Sequence, residues 1–238
     1  RGVLSEAGTT ARAMGLRRVA VVTDRVVASQ PFYDAAMRGL REAGVDAVEY
    51  AGARVEPTDQ SFRAAARWAQ DVRPDGFVSI GGGSCIDTAK AANLFSTHPP
   101  PEGIDDFLYY VNAPVGRAAQ PPGPLRPHIA CPTTAGTGSE VTRFTIITDE
   151  TTDEKLLCAG MGFMPVAALI DYKLTLSLPA RTTADTGIDF VEDERGDAVR
   201  CRQRDFQRQK KPGQFAAGAT LLIGPAGCPG FVVTSNVT

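Results

Sequence analysis

Short apolar runs alternate with segments of helical periodicity along the first hundred residues of the chain. Continuous runs of valine and alanine are typical of strands that are buried on both faces of a parallel sheet. Strands are predicted at residues 17–24, 46–51 and 77–80, and helices at residues 4–14, 30–43, 58–72 and 81–94. These repeated β-α-β units predict an α/β fold, an open parallel sheet flanked by helices on both faces.

The order of elements is less regular after residue 97. Residues 98–126 hold seven prolines, which predicts a long loop over the surface. A further strand is predicted at 128–131, followed by a turn rich in threonine and glycine at 132–140. A strand-like run at 142–148 and an apolar run at 166–170 come next.

The composition changes near residue 189. Residues 192–211 are dense in charge without periodicity, whereas residues 212–238 carry no charge. We therefore predict one α/β domain over residues 1–189 and a tail of aberrant composition, disordered or irregular, over residues 190–238. The uncharged residues 215–233 are long enough to span a membrane, but glycines and prolines interrupt them, which favours a flexible tail.

The overall charge and the cysteines narrow the class of protein. Lys and Arg number 25 against 27 Asp and Glu, and the pI is about 5.8, so a small molecule is a more plausible partner than nucleic acid or an anionic membrane. The five cysteines are never spaced C-x-x-C, which predicts buried or free thiols in a reducing compartment. The chain opens on Arg1 without a charged-then-apolar leader, and we expect any targeting segment to be absent or to lie upstream.

A glycine-rich loop, Gly81-Gly82-Gly83-Ser84, lies between a predicted strand and a predicted helix. Backbone N–H groups and the helix dipole at such a place favour a phosphate, and glycine lets the phosphate come close. The loop matches neither G-x-G-x-x-G, because Ile86 fills the last position, nor the Walker loop. A phosphate site and a purely structural turn are both consistent with it.

A second loop, Thr133-Thr134-Ala135-Gly136-Thr137-Gly138-Ser139, offers hydroxyls to phosphate, ribose or amide groups. It could equally be a helix-capping loop, but two such loops in one α/β unit favour a dinucleotide. Asp24, at the end of the first strand, would accept hydrogen bonds from a ribose diol and repel a 2′-phosphate, which favours NAD over NADP. The alternative for Asp24 is a helix cap or turn former.

Nucleophilic catalysis has little support, because there is no G-x-S-x-G elbow and the only histidines are His98 and His128. His98 is predicted to be a solvated loop residue, and His128 to lie in or beside a strand. A metal site would be short of imidazole ligands. The carboxylates Asp185, Asp189 and Asp193 could contribute oxygen ligands or could simply be solvated.

Together these residues resemble the family of iron-containing (group III) alcohol dehydrogenases, with motif order and spacing in agreement over about 180 residues. The motifs are Gly81-Gly82-Gly83-Ser84-x-x-Asp87-x-x-Lys90, the stretch 132–142, and Leu178-Pro179-Ala180 followed by Thr186-Gly187-Ile188-Asp189. Residues 54–61, 90–94 and 110–114 resemble the hydroxyacid-oxoacid transhydrogenase branch of the family, which is mitochondrial in animals.

The resemblance implies a two-domain enzyme with an N-terminal dinucleotide-binding domain of Rossmann-like fold and an all-helical C-terminal domain. A divalent metal, iron or zinc, would lie in the cleft between them. The branch oxidises 4-hydroxybutyrate to succinate semialdehyde and reduces 2-oxoglutarate to 2-hydroxyglutarate, with bound NAD as the hydride carrier. The implied partner is a small hydroxyacid, oxoacid or alcohol, with no nucleic acid and no membrane; a homo-oligomer is left open.

The resemblance also assigns roles to residues, although it assigns none to a catalytic group. Asp24 would hold the adenine ribose, and Asp189 would be the first metal ligand. The diphosphate would bind to Gly82, Gly83 and Ser84. The nicotinamide half would bind to Thr133, Thr134, Thr137, Thr142 and Lys155.

The sequence departs from the family pattern after Asp189. In the family the metal-binding Asp begins D-x-x-x-H, which places Asp and His one helical turn apart, but Asp193 stands at the His position here. Nothing after Asp189 resembles the helical domain, so we expect that domain to be missing from this chain. Two hypotheses follow: a metal- and NAD-dependent oxidoreductase of the transhydrogenase branch, or a catalytically inactive NAD-binding fragment.

Overall fold

The computed structural model describes residues 2–176, 178–186, 220–223 and 231–234. The described strands are β1 (Arg18–Val22), β2 (Asp46–Tyr50), β3 (Gly76–Gly81), β4 (His128–Pro132), β5 (Phe144–Thr148), β6 (Lys155–Ala159), β7 (Ala167–Leu169), β8 (Thr220–Ile223) and β9 (Phe231–Thr234). The α-helices are α1 (Ala7–Ala13), α2 (Arg25–Ala28), α3 (Pro31–Glu42), α4 (Asp59–Val72) and α5 (Gly83–Thr97), and residues 180–186 are also helical. Short 3₁₀ turns lie at Val3–Glu6, Phe107–Tyr109, Ser139–Val141, Met161–Phe163 and Tyr172–Thr175.

The main sheet has the strand order β2-β1-β3-β4-β7-β9-β8. All neighbouring pairs are parallel except β8 with β9. Strands β5 and β6 form a separate antiparallel pair. The structure therefore confirms the predicted open parallel sheet, and four of the predicted strand runs become β1 to β4 within a few residues.

Helices cover both faces of this sheet, as predicted. Val19 and Val21 pack into a core with α1 and α3. Ala20 and Val22, which point the other way along the same strand, pack into a second core with α4 and α5. Because successive side chains alternate across a strand, burial on both faces requires the uninterrupted apolar run that the sequence shows.

Helix α4 begins with a capping box, in which the Thr58 hydroxyl accepts from the Ser61 amide at 3.2 Å and the Ser61 hydroxyl accepts from the Thr58 amide at 2.9 Å. This reciprocal pair satisfies two amides at the start of the helix. It agrees with the helix start predicted at this position.

The predicted helix over residues 4–14 is instead a 3₁₀ turn followed by α1. At Gly8, α1 comes so close to α3 that an added Cβ would lie 2.2 Å from the carbonyl oxygen of Gly39. Asp171 then holds the start of the segment, because its Oδ2 accepts from the amides of Gly2 at 2.7 Å and Val3 at 3.1 Å. The N-terminal segment is thus tied to the residue that follows β7.

The proline-rich stretch 98–126 is a long loop, as predicted, with one 3₁₀ turn, but part of it is buried instead of lying on the surface. Ile104, Phe107, Tyr110 and Val111 within it are buried. The ring of Phe107 stacks on Phe95 of α5, with centroids 4.7 Å apart. Its aromatic side chains pack on α5, so the stretch covers that helix. The number of prolines gives no indication of this packing.

Within residues 190–238, where the sequence predicts a disordered or irregular tail, the described residues form two strands. Strand β9 pairs in parallel with β7, and β8 pairs with β9. Both are short runs of β-branched, aromatic or leucine residues, which favour strands. This differs from the prediction at these two stretches, whereas the predicted domain boundary at residue 189 lies outside the described residues.

Among the described residues, no helix has the length and apolar character needed to cross a membrane. Most of the stretch 215–233 lies outside them. Cys85, Cys131 and Cys158 are free and buried, as predicted. Cys201 and Cys228 lie outside the described residues.

Candidate functional site

The order of the strands defines one edge of the sheet as the place for a ligand. The chain runs from β1 outward to β2 and then returns past β1 to β3 and β4, so the connections change direction between β1 and β3. Open α/β sheets bind ligands beyond the carboxyl ends of their strands at such a switch point. Asp24, the glycine loop (residues 81–84) and the threonine loop (residues 133–139) all follow strands that end at this edge.

The glycine loop turns the chain from β3 into α5. Gly81 has φ +157°, and a Cβ there would lie 2.4 Å from the Cys85 sulfur, so only glycine fits. The carbonyl of Gly82 accepts from the amides of Cys85 and Ile86. The amides of Gly83 and Ser84 lie in the first turn of α5, where a helix has no internal acceptors and where its dipole is positive.

The threonine loop lies directly against the glycine loop. The Thr133 amide donates to the Gly81 carbonyl at 2.9 Å. A Cβ on Gly82 would lie 3.2 Å from Thr134, and one on Gly83 would lie 3.1 Å from the Ser139 hydroxyl. The structure thus brings the two loops together, and glycine at both positions is what permits the close approach.

One buried polar atom stands out in this loop pair. The Thr134 hydroxyl oxygen is buried, and the described part of the chain supplies no hydrogen-bond partner for it. Buried polar atoms are usually paired. An unpaired hydroxyl beside the first turn of α5 fits a phosphate or ribose oxygen as its missing partner.

Asp24 lies on the far side of the glycine loop, at the end of β1. Its Oδ1 accepts from the amides of Val26 and Val27, each at 2.8 Å, so Asp24 is the N-cap of α2, as its alternative interpretation predicts. Its Oδ2 accepts from the Cys85 thiol at 3.3 Å. Burial, reinforced by this neighbouring carboxylate, raises the pKa of the Cys85 thiol.

Lys90, Asp87 and Glu140 form a buried charged cluster below the threonine loop. The Lys90 ammonium lies 3.8 Å from Asp87 Oδ1 and interacts electrostatically with Glu140. Burial lowers the pKa of Lys90 to about 8 and raises that of Asp87 to about 6. Burial also raises the pKa of Glu140.

Thr142 and Lys155, both predicted to hold the nicotinamide half, lie in different places. The Thr142 hydroxyl accepts from Lys90 at 3.0 Å, just past the threonine loop. Lys155 pairs with Thr148 at one end of the β5–β6 pair, and Phe144 lies at the other end. The Lys155 ammonium lies 3.9 Å from Glu56. The described contacts therefore connect Thr142 with the two loops but do not connect Lys155 with them.

The two histidines are not placed as catalytic bases. His98 lies in the loop that follows α5, as predicted, at a partly exposed position where its Nε2 is 3.0 Å from the Pro124 carbonyl oxygen. His128 is buried in β4, as predicted, with Nε2 2.8 Å from the Ser79 hydroxyl. Burial lowers the pKa of His128 to about 3.

The predicted metal ligand Asp189 and its neighbour Asp193 lie outside the described residues. Asp185 is mostly exposed and lies 3.8 Å from Arg181. The part of the chain that the structure describes contains no group of three or more His, Cys, Asp or Glu side chains that could hold a metal ion.

Sequence reasoning identified both loops and Asp24 but gave no role to Lys90 or Asp87, although both belong to the glycine-rich motif. Their spacing of three residues places them on one face of α5. A lysine among the apolar and small residues of 85–96 was the available signal, since a buried cation requires specific partners.

A parallel sheet with helices on both faces and glycine- and threonine-rich loops at its switch point is a Rossmann-like domain. The family model for iron-containing alcohol dehydrogenases matches residues 1–172. The chain therefore belongs to the iron-containing alcohol dehydrogenase family, as its motifs predict.

Named relatives agree with this assignment. The mitochondrial hydroxyacid-oxoacid transhydrogenase of Bos taurus is 42% identical over 190 residues, which cover 80% of this chain and 40% of that protein. The human protein of the same name is 41% identical, over 79% of this chain and 40% of its own length. The chain therefore spans about 40% of the length of these relatives.

The solved structure of sulfoacetaldehyde reductase from Bifidobacterium kashiwanohense in complex with NAD+ matches with a TM-score of 0.66 and 31% identity. The match covers 79% of this chain and 47% of that one. The shared part is the α/β domain described above.

Proposed function

We propose that this chain binds NAD at the switch point of its sheet, as the nucleotide-binding part of an oxidoreductase. The observation that carries the proposal is the convergence of Asp24, the glycine loop and the threonine loop at the ends of three adjacent parallel strands. A dinucleotide is long and has its diphosphate at the centre. Sites of this kind place the diphosphate at a helix N-terminus and a nucleoside on either side.

The residues present fit such a ligand. The first-turn amides of α5 suit the diphosphate, with Gly82, Gly83 and Ser84 as its contacts. The unpaired Thr134 hydroxyl, which lies beside Gly82 on the β4 side, supplies a donor to the nicotinamide half. Thr133, Thr137 and Thr142 lie on the β4 side of the glycine loop, where the nicotinamide half would bind; Lys155 is the least supported of the proposed contacts.

Asp24 supports NAD over NADP. Its Oδ1 is engaged by two amides, but a carboxylate oxygen has two acceptor sites, and Oδ2 has only a weak thiol donor. That oxygen is free to accept from the hydroxyls of the adenine ribose. A 2′-phosphate there would meet a like charge.

We further propose that the parent activity is that of a hydroxyacid-oxoacid transhydrogenase. Its relatives of that name support this finer assignment, as does the transhydrogenase-like stretch at 54–61. In that reaction 4-hydroxybutyrate loses a hydride and a proton to give succinate semialdehyde, and 2-oxoglutarate gains them to give 2-hydroxyglutarate. NAD supplies the reversible hydride acceptor, and the relatives' names favour a mitochondrial location.

In the family, a metal acidifies the substrate hydroxyl. Turnover by this chain would therefore depend on such a metal. Asp189 is proposed as its first ligand, but position 193 carries Asp instead of the expected His. That substitution favours the second candidate function, an NAD-binding chain without catalysis.

Calorimetric titration of the full chain with NAD+ and with NADP+ tests the binding proposal. We expect saturable binding of NAD+ and markedly weaker binding of NADP+. Absence of NAD+ binding at millimolar concentration would overturn the proposal. Incubation with 4-hydroxybutyrate, 2-oxoglutarate and added Fe²⁺ or Zn²⁺, with succinate semialdehyde as the readout, then separates the active enzyme from the inactive binding chain.

A further inference from the structure

Lys90 is a fully buried cation that has no part in the proposed NAD contacts. Its side chain has 0% exposure. Its Nζ donates to the Thr142 carbonyl at 3.1 Å, the Thr142 hydroxyl at 3.0 Å and the Phe144 carbonyl at 2.9 Å. An ammonium has three N–H donors, so all of them are used on the segment that immediately follows the threonine loop.

Burying a charge in this way carries a desolvation cost, which the hydrogen bonds and the neighbouring carboxylates of Asp87 and Glu140 must offset. An apolar side chain of the same length would fill the space without that cost. The Lys90 contacts therefore favour one conformation of the chain at 142–144 more than they add to net stability. They also fix that conformation relative to α5, the helix that carries Lys90.

We propose that Lys90 is a positioning residue for the nicotinamide half of the dinucleotide, because it holds residues 142–144, which directly follow the threonine loop, against the helix whose first turn would bind the diphosphate. The inference rests on the proposed function, since it assumes that NAD lies across the two loops. Lys90 itself touches no ligand.

The position of Lys90 should make its effect selective for the nicotinamide half of NAD. Adenosine diphosphate needs only Asp24 and the glycine loop, and neither is among the described contacts of Lys90. The second nucleoside lies on the β4 side, against the threonine loop that Lys90 holds. Loss of Lys90 should therefore weaken the binding of NAD+ while leaving the binding of ADP in place.

The test is calorimetric titration of the full chain and its Lys90→Met variant with NAD+ and with ADP. Methionine keeps an unbranched side chain that is one atom shorter, and it removes the charge and the donors. We expect NAD+ to bind about tenfold more weakly or worse, because several charge-assisted hydrogen bonds order the loop, and ADP affinity to change less than about twofold. Lys173→Met, which removes an exposed lysine of the 3₁₀ turn Tyr172–Thr175, should change neither affinity.

The outcomes separate the two proposals. If the unmodified chain binds neither NAD+ nor ADP, the proposed function fails. If it binds both, and Lys90→Met weakens both equally or neither, the positioning role alone is overturned.

If Lys90→Met does not fold, hydrogen exchange of the unmodified chain tests the proposed positioning role. NAD+ should slow exchange of the amides over residues 139–148 more than ADP does, because only NAD+ engages the loop that Lys90 holds. Equal protection by the two ligands, or none, would contradict the proposal.

Discussion

At the scale of single residues, Asp24 has two uses. Its Oδ1 caps α2, and its Oδ2 faces the Cys85 thiol at the edge of the proposed site. The sequence left ribose binding and helix capping as alternatives for this residue. The amides of α2 engage only Oδ1, so capping and the proposed ribose contact through Oδ2 are compatible.

Replacement of Asp24 by Asn should separate these roles. Asn caps helices about as well as Asp does, so we expect little change in the unfolding midpoint. Loss of the negative charge should raise the affinity for NADP+ relative to NAD+, as measured by parallel calorimetric titrations. Asp24→Ala is the matched comparison, since it also removes the cap and should cost about 1 kcal/mol of stability; unchanged discrimination in Asp24→Asn would contradict the assigned contact.

Gly83→Ala tests the close approach of the two loops. The added Cβ would lie 3.1 Å from the Ser139 hydroxyl and 3.2 Å from Thr137, so the threonine loop must move by a few tenths of an ångström. We expect several-fold weaker NAD+ binding with little loss of stability, because alanine favours the helix that begins there. Gly123→Ala, whose Cβ would lie 3.5 Å from His98, is the control, and equal affinities in the two variants would argue against a binding role for the loop contact.

Lys90 and Thr142 show where reasoning from residue types stops. The motif makes both visible in the sequence, and both received only a family-based interpretation or none. Their contact joins residues 52 positions apart. No periodicity predicts such a pair, because it depends on how the β5–β6 pair packs against α5.

At the scale of elements, the regular part of the chain was predictable and the covering layer was not. Strands β1, β3 and β4 are buried on both faces, so most of their residues are apolar or small and the runs are easily recognised. Strand β6 and the buried residues of 98–126 cover only one side of α5. The apolar runs there, 107–111 and 156–159, are short and lie among proline-rich or polar residues, so each resembles part of a loop when the sequence is considered without α5.

Gly8 marks the contact between α1 and α3, and Gly8→Ala should destabilise the fold. The added Cβ would lie 2.2 Å from the Gly39 carbonyl oxygen, and this is backbone that cannot rotate away. Overpacking of this kind costs about 1–3 kcal/mol, measurable by urea unfolding. Thr9→Ala, at an exposed position of the same helix, should leave the free energy of unfolding almost unchanged, and an equal loss in both variants would show that the close approach is not the cause.

At the scale of the whole molecule, buried titratable groups give the free energy of unfolding a pH dependence. Burial raises the pKa of Asp87 from 3.8 to about 6, so the folded state binds its proton more tightly than the unfolded state does. Asp87 therefore contributes a loss of stability as pH rises from about 4 to about 6. Burial lowers the pKa of His128 from 6.5 to about 3, which has the opposite sign over an overlapping range.

Asp87→Asn should remove one of these opposing contributions. Relative to the unmodified chain, the variant should gain stability as pH rises from about 4 to about 6, at up to about 1.4 kcal/mol per pH unit. Chemical unfolding at pH values across this range measures the difference directly. A parallel pH dependence in the two proteins would show that Asp87 has the same pKa in the folded and unfolded states.

The anchoring of the first residues by Asp171 has a consequence for how the chain is made. Asp171 is separated from the amides that it binds by 169 and 168 positions, so a ribosome that synthesises about 5–20 residues per second delivers the anchor about 10 to 30 s after those amides. During that interval β1 to β4 can pair while the amides of Gly2 and Val3 still lack their Asp171 acceptor. Residues 2 and 3 should therefore become fixed only after β7 has been synthesised, later than the pairing of β1 to β4, although all four strands lie between these residues and Asp171 in the sequence.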